Sequence, residues 1–223
     1  MTKWALVVES EVASRTRRQR MREAGPCLGI ILTVFSSVSL GQPPYQTGWP
    51  QEVARGVDFS SPVLVDVDGD DTLEVVVAGN SKWLYLWNHR GELFPNWPRE
   101  TAIPSGWGET SSPAVGDIDR DGHMEIVYGS YVAQKLLAWE IDGTDVSGFP
   151  VDLGDRVIRC SATLEDMDGD DALEIGIGTG DLQFRFFLFD HAGTELWSRT
   201  VAGRVHSTAA VGDLDTDGTL EIV

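Results

Sequence analysis

Short apolar runs separated by polar turns follow one another along residues 48–223. The runs are rich in Val, Ile, Leu and aromatic residues, and Gly, Asp or Pro bounds each of them. Such runs are typical of β-strands joined by hairpins, because an amphipathic helix needs apolar residues at spacings of three and four over a longer stretch. The pattern therefore predicts an all-β fold.

An acidic segment recurs within this strand pattern. It reads "DVDGDDTLEVVV" at its first occurrence, "DIDRDGHMEIV" at its second, "DMDGDDALEIGI" at its third and "DLDTDGTLEIV" at its fourth, starting at residues 66, 117, 166 and 213. Small and apolar residues precede each copy, and an aromatic-rich segment ending in a Gly-containing turn follows the first three. The repeats therefore start near residues 60, 111, 160 and 207. Four short strands in about fifty residues are typical of a β-propeller blade.

Residues 42–223 are accordingly predicted to form a partial β-propeller of four-stranded antiparallel blades. About three and a half blades are present, and "GWP" at residues 48–50 matches the end of a repeat although it precedes the first one. The smallest common propeller has four blades. We therefore interpret the chain as the N-terminal part of a longer protein.

Each acidic segment carries carboxylates at its positions 1, 3, 5 and 9. Two carboxylates about 4–5 Å apart repel each other by roughly 3–4 kcal/mol at an effective dielectric near 20. A solvated turn, which is the simpler interpretation, needs only one or two Asp residues. Calcium prefers six to eight oxygen ligands, and acids at positions 1, 3 and 5 with a carbonyl at position 7 resemble an EF-hand loop. We therefore predict one Ca²⁺ for each loop.

The predicted ligands are the side chains at positions 1, 3, 5 and 9 and the carbonyl at position 7. A hydrolytic metal site is the alternative, but a shell of this kind leaves little room for a substrate. The four sets are Asp66, Asp68, Asp70, Thr72 and Glu74; Asp117, Asp119, Asp121, His123 and Glu125; Asp166, Asp168, Asp170, Ala172 and Glu174; and Asp213, Asp215, Asp217, Thr219 and Glu221.

These loops resemble the D-x-D-x-D-G-x-x-[DE] calcium loops of FG-GAP/VCBS repeats, the blades of integrin-α-like propellers. The resemblance covers about residues 48–223 and implies that each loop links two strands of one blade, binds one calcium and belongs to a ring of seven blades. The literal Phe-Gly and Gly-Ala-Pro signatures are absent. Gly occupies position 6 only at Gly122 and Gly218, whereas Asp71 and Asp171 occupy it in the other loops. We predict a positive φ there, which Asp tolerates less well than Gly.

The N-terminus is interpreted as a signal peptide over residues 1–41, with Met21 as an alternative start. A basic stretch at residues 15–22 precedes an apolar run that is too short for a stable membrane span. Cleavage before Gln42 would leave Cys160 as the single cysteine and exclude an intrachain disulfide. The prediction is an exported protein, extracellular, cell-surface or periplasmic, without a stable membrane span. An uncleaved anchor or a buried first strand is the alternative.

The charge of the predicted domain is strongly negative. Residues 1–41 contain 6 of the 17 Lys and Arg residues and 3 of the 35 acids, which leaves 11 basic and 32 acidic residues in 42–223, a net charge of −21. Nucleic acids and anionic membranes are excluded as partners by this balance, because both require a basic surface.

Other residues give weaker indications. None of the four His lies in a nucleophile or zinc motif, and His89 and His191 occupy equivalent turn positions, which favours a structural role. The repeated aromatic residues Trp87, Trp139 and Phe189 are expected to pack between blades, and Trp97 and Phe149 to cover blade edges. Trp107, in "PSGWGET", breaks the repeat pattern and is a candidate contact for a sugar or a protein.

Three functions are consistent with the sequence. The first is a non-enzymatic, calcium-stabilised binding or adhesion scaffold for a protein or carbohydrate ligand. The second is an accessory propeller of a secreted, polysaccharide-active enzyme whose catalytic part lies beyond Val223. The third, a propeller that is itself catalytic, would need convergent polar residues outside the repeat pattern, and the sequence offers none.

Overall fold

In the computed structural model of the chain, the residues described are 46–101, 111–154, 158–180 and 184–223. They contain fourteen β-strands and no α-helix. The predicted signal peptide, residues 1–41, and Trp107 lie outside the described residues. Within the described part, no helix is both long and apolar enough to cross a membrane.

The strands form three four-stranded sheets and one two-stranded sheet, each built from strands that are consecutive in the chain. The first sheet contains β1 (Val63–Val65), β2 (Glu74–Ala78), β3 (Trp83–Trp87) and β4 (Arg99–Glu100). The second contains β5 (Ala114–Gly116), β6 (Glu125–Ser130), β7 (Lys135–Glu140) and β8 (Val151–Asp152). The third contains β9 (Thr163–Glu165), β10 (Glu174–Gly178), β11 (Arg185–Phe189) and β12 (Glu195–Thr200), and the last β13 (Val211–Gly212) and β14 (Glu221–Ile222).

All strand pairs are antiparallel, with one sheet for each repeat. The predicted all-β fold of four-stranded antiparallel blades is therefore confirmed. The described residues show no closed ring, and the seven blades implied by the resemblance stay a prediction.

The core lies between consecutive sheets, so the middle sheet is covered on both faces. Every residue of β6 is buried. Ile126 and Tyr128 pack in a cluster with residues of the first sheet, whereas Val127 packs in a cluster with residues of the third. This division follows from the alternation of side chains along a strand. It explains why β6 reads as a continuous apolar run rather than an alternating one.

Hydrogen bonds between small polar residues also join consecutive repeats. The N–H of Ser61 donates to Oγ of Ser112 at 2.8 Å, and the N–H of Ser112 donates to Oγ of Ser161 at 2.9 Å. The three serines lie just before the first strands of the three sheets, and those strands also contact one another. The small residues repeated upstream of each acidic segment therefore connect neighbouring sheets.

An aromatic residue at the end of the first and of the second repeat, Trp97 and Phe149, contacts the following sheet. The rings of Trp97 and Trp139 meet edge to face with centroids 6.3 Å apart, and Nε1 of Trp97 donates to the carbonyl of Ile141 at 2.8 Å. Trp49 contacts the first sheet in the same way: its ring meets that of Trp87 at a centroid distance of 5.9 Å, and its Nε1 donates to the carbonyl of His89 at 3.0 Å. Trp97 thus reaches across the gap between sheets, and its role in covering a blade edge stays a prediction.

The other predicted aromatic contacts can be located in the same way. Trp139 lies in the cluster shared by the first two sheets, and Phe189 and Phe149 lie in the cluster shared by the second and third. Trp87 is buried on the opposite face of the first sheet, where Trp49 and other residues cover it. Packing between sheets is therefore confirmed for Trp139 and Phe189.

Replacing Trp97 by Ala should destabilise the protein by about 3–5 kcal/mol, because the change removes a buried ring and its contact with the next sheet. Chemical denaturation followed by far-UV circular dichroism measures the loss. The control is Trp197→Ala on the outer strand β12, where the ring is 38% exposed and the loss should be clearly smaller. Equal losses would show that the inter-sheet contact adds no stability.

Candidate metal sites

Each acidic loop connects the first and second strands of its sheet. Residues 66–73 lie between β1 and β2, and the other three loops occupy the same place in their sheets. The Glu at position 9 is the first residue of the second strand in every case. The loops therefore have the position within a blade that the resemblance implies.

The backbone has a positive φ at positions 4 and 6 of all four loops. At position 6, φ is 66° for Asp71, 90° for Gly122, 69° for Asp171 and 89° for Gly218, as predicted. Position 4 was not predicted: Gly69 and Gly169 have φ of 75° and 82°, and Arg120 and Thr216 have φ of 63° and 64°. Each loop thus has one Gly and one other residue in the left-handed region. The sequence did contain a signal for the positive φ at position 4, because Gly alternates between positions 4 and 6 from one loop to the next.

The first carboxylate organises the loop by accepting backbone hydrogen bonds. Oδ1 of Asp66 accepts from the N–H of Gly69 at 2.7 Å and of Asp70 at 3.2 Å, and Oδ2 accepts from Asp71 at 3.0 Å. Asp117, Asp166 and Asp213 accept equivalent bonds in their loops. Each carboxylate oxygen offers more than one lone-pair site, so capacity remains for a cation.

The Asp at position 5 accepts a hydrogen bond from the N–H of position 7. This distance is 2.8 Å in all four loops, from Thr72 to Asp70, His123 to Asp121, Ala172 to Asp170 and Thr219 to Asp217. The bond fixes the orientation of the position 7 residue. The role of its carbonyl as a ligand stays a prediction.

The Glu at position 9 is buried and joins the strand to the beginning of the loop. Glu74, Glu125 and Glu174 are at most 4% exposed. In each loop Oε2 of this Glu accepts the N–H of position 2, for example from Ile118 to Glu125 at 2.7 Å. One carboxylate oxygen is thereby occupied in every loop, and in the fourth loop Oε1 of Glu221 also accepts from Oγ1 of Thr219 at 3.4 Å.

The carboxylates converge in every loop. The oxygen atoms that lie within 4.8 Å of one another come from Asp66, Asp68 and Asp70 in the first loop, and from positions 1, 3 and 9 in the others: Asp117, Asp119 and Glu125; Asp166, Asp168 and Glu174; and Asp213, Asp215 and Glu221. Oxygen-only sets of this kind suit hard divalent cations such as Ca²⁺, Mg²⁺ or Mn²⁺. The arrangement can hold a metal ion, and the assignment of each individual ligand stays a prediction.

The second loop shows most directly that a cation fits. Oε1 of Glu125 is buried and has no hydrogen-bond partner. Burial raises the pKa of Glu125 to about 8, helped by the negative charges of Glu140, Asp119 and Asp121. Burial also raises the pKa of Glu74 and Glu174. An ion between these oxygens would supply the missing partner and offset the repulsion.

Contacts between loops place them on one face of the molecule. Arg120 of the second loop donates to the carbonyl of Asp170 and forms an ion pair with Oδ2 of Asp171 at 2.8 Å. Asp68 of the first loop and His123 of the second line the same open hollow of about 570 Å³, together with Val67, Phe94, Pro95, Glu140, Ile141 and Asp142. The first three acidic loops are therefore neighbours around a common surface.

Residues 42–128 match the sequence model of the FG-GAP-like repeat family. This segment includes the first two acidic loops. No curated protein matches the chain.

The solved structures to which the chain is similar are distant in sequence. The V. cholerae biofilm matrix protein Bap1 is 17% identical with a TM-score of 0.33, and the match covers 68% of this chain and 30% of Bap1. BBS1N, solved in complex with ARL6DN, is 14% identical with a TM-score of 0.48, covering 77% of this chain and 54% of that one. The computationally designed protein Ika4 is 16% identical with a TM-score of 0.45, covering 78% and 98%. The chain thus spans less than two thirds of Bap1 and BBS1N.

The free energy of unfolding in chelator should fall as the pH is raised from 5 to 8. The folded-state pKa of Glu125 lies above its ordinary value of 4.5, so folding favours the protonated form and this stability is lost as the pH rises through the folded pKa. For one group the slope reaches about 1.4 kcal/mol per pH unit. Denaturant titrations at several pH values measure it. Glu125→Gln should flatten the profile, and a wild-type profile that rises with pH would contradict the expectation.

Gly122→Ala should reduce stability and metal affinity, because φ at this residue is 90°. A side chain would meet no atom within 4 Å, so the cost arises from the backbone alone and amounts to about 1–3 kcal/mol. Thermal unfolding with and without calcium measures it. Gly212→Ala is the control, since Gly212 also has open space around it and has no positive φ. Equal effects of the two substitutions would show that loop conformation is not responsible.

Proposed function

We propose that this chain is part of an exported, calcium-stabilised β-propeller that acts as a non-enzymatic binding or adhesion scaffold. The observation that carries the proposal is the convergence of acidic oxygens in four loops at the same place in four successive sheets. FG-GAP-like repeats over residues 42–128 support a scaffold of this kind.

Calcium is the proposed ion for reasons of ligand chemistry. The loops offer carboxylate oxygens together with backbone carbonyls, and they offer neither thiolate nor a convergent pair of imidazoles. Calcium tolerates irregular shells of six to eight oxygens, whereas magnesium requires a compact octahedron and retains several waters. Loops held open by two left-handed residues each are better suited to the larger ion.

The proposed partner is a protein or a carbohydrate. The net charge of −18 argues against nucleic acid and anionic membrane surfaces. The face formed by the acidic loops carries the hollow lined by Phe94, Ile141 and acidic side chains, and it presents both apolar and polar groups to a ligand. Export is supported by the basic and apolar N-terminal segment.

The metal contribution to stability is large on the scale of a single domain. A calcium module with a dissociation constant near 0.1 mM, exposed to about 2 mM calcium, gains roughly 1.8 kcal/mol for each occupied site. Several such sites are significant against a total stability of about 5–15 kcal/mol. Since the cysteine in the described residues, Cys160, is a free buried thiol, bound cations would perform the role that disulfides have in many exported domains.

Thermal unfolding of the protein should therefore occur many degrees higher in about 2 mM calcium than in chelator. Differential scanning calorimetry measures the two transitions, and magnesium at the same concentration should have a smaller effect. Glu125→Gln should lose part of the calcium-dependent increase, since it removes one carboxylate from the second loop. Coincident transitions in calcium and chelator would disprove the proposed role of the metal.

A further inference from the structure

The third strand of each four-stranded sheet, β3, β7 or β11, has an aromatic residue at or near its end. The residue directly after that aromatic residue differs among the three sheets. It is Asn88 in the first sheet, Glu140 in the second and Asp190 in the third. Each begins a tight turn in which its N–H donates to the carbonyl four residues later, at 2.9 Å for Glu140 and Thr144. The backbone positions are therefore equivalent, and the side chains can be compared directly.

In the first and third sheets this side chain stabilises its own turn. Oδ1 of Asn88 accepts the N–H of Arg90 at 2.9 Å and of Glu92 at 3.0 Å. Oδ1 of Asp190 accepts from the two equivalent residues, Ala192 at 3.0 Å and Thr194 at 2.7 Å. Both are short side chains that remain at the turn, as Asn and Asp commonly do.

In the second sheet another residue performs this function. Asp142 accepts the N–H of Thr144 at 2.8 Å and its hydroxyl at 2.7 Å. The longer carboxylate of Glu140 is therefore not required by the turn. The turn itself is held in place, because Nε1 of Trp97 donates to the carbonyl of Ile141 at 2.8 Å.

The strand register brings Glu140 to the second acidic loop. Glu140 lies directly opposite Glu125 in the antiparallel pair of β6 and β7, and residues in that relation have Cβ atoms about 4.5–5.5 Å apart. Glu140 also lines the open hollow that is lined by His123 of the second loop and Asp68 of the first. Like charges directly opposite each other destabilise a sheet, so this pair requires compensation.

Glu125 provides an independent indication of what compensates it. Its side chain is fully buried. One of its carboxylate oxygens lies within 4.8 Å of oxygens of Asp117 and Asp119, and its Oε1 has no hydrogen-bond partner. A buried carboxylate oxygen of this kind needs either a proton or a cation. A cation would satisfy Glu125 and Glu140 together.

We propose that Glu140 is a fifth carboxylate of the second metal site, binding the divalent cation directly or through one bound water, and that it makes this site the tightest of the four. The inference rests on the proposed calcium binding. The other loops offer four carboxylates each, and the number of ligand charges is one of the properties that sets affinity in such loops. Glu140 thereby distinguishes one site within an otherwise regular repeat.

Calorimetric titration of calcium into the full chain tests the proposal. Glu140→Gln should weaken the tightest binding phase by about tenfold or more and leave the weaker phases unchanged. The matched control is Asp190→Asn, which removes one carboxylate from the equivalent turn and keeps its hydrogen bonds, as Asn88 shows. This control should bind calcium as the wild type does.

Two results would overturn the proposal. If Glu140→Gln binds calcium as tightly as the wild type and melts at a higher temperature in chelator, Glu125 and Glu140 share a proton instead of a cation. If the wild type binds no calcium at all, the proposed function fails together with the role of Glu140. The first result, in contrast, leaves calcium binding intact, so the two failures are distinguishable.

A crystal structure of the calcium-loaded wild type provides a second measurement that does not depend on folding of the variants. An ion about 2.3–2.6 Å from an oxygen of Glu140, or joined to it by one water, would support the proposal. An ion in the second loop with the Glu140 carboxylate turned away would contradict it.

Discussion

Repulsion among the carboxylates of a single loop is the constraint on which the rest of this structure depends. Several acidic oxygens converge in each loop, and the Glu that begins the following strand is buried in the first three loops. Backbone N–H groups satisfy part of this charge, most completely at Asp66 and Asp166. The remainder requires either a proton or a cation, because a buried carboxylate oxygen without a partner is costly. Stability of the sheets and the charge of the loops are thereby linked.

The link operates through the strands that follow the loops. Glu125 begins β6, whose side chains fill the spaces on both sides of the second sheet. A change in the charge of Glu125 therefore acts at the edge of two hydrophobic clusters at once. The three four-stranded sheets have the same arrangement, so each loop is positioned to influence the packing of its neighbours as well as of its own sheet.

The sequence predicted the regular parts of this structure well. The period, the four strands of each repeat, the place of the acidic loops and the positive φ at position 6 all follow from short-range patterns. The positive φ of Arg120 and Thr216 was missed because neither residue type favours that conformation. Glu140 was missed for a different reason: its relation to Glu125 depends on the register of β6 and β7, which local spacing does not determine. The reach of Trp97 to the following sheet likewise depends on how two sheets pack.

The contact made by Trp97 has a consequence for how such a chain can change in length. Every repeat that ends in this way carries an indole or phenyl ring that packs on the next sheet. The third strand of that sheet and the turn after it receive the ring, as the pairs Trp49 with Trp87 and Trp97 with Trp139 show. Copying one whole repeat therefore copies both halves of the interface. A gene that duplicated or lost complete repeats would retain matching surfaces at each new junction, whereas an insertion of half a repeat would not.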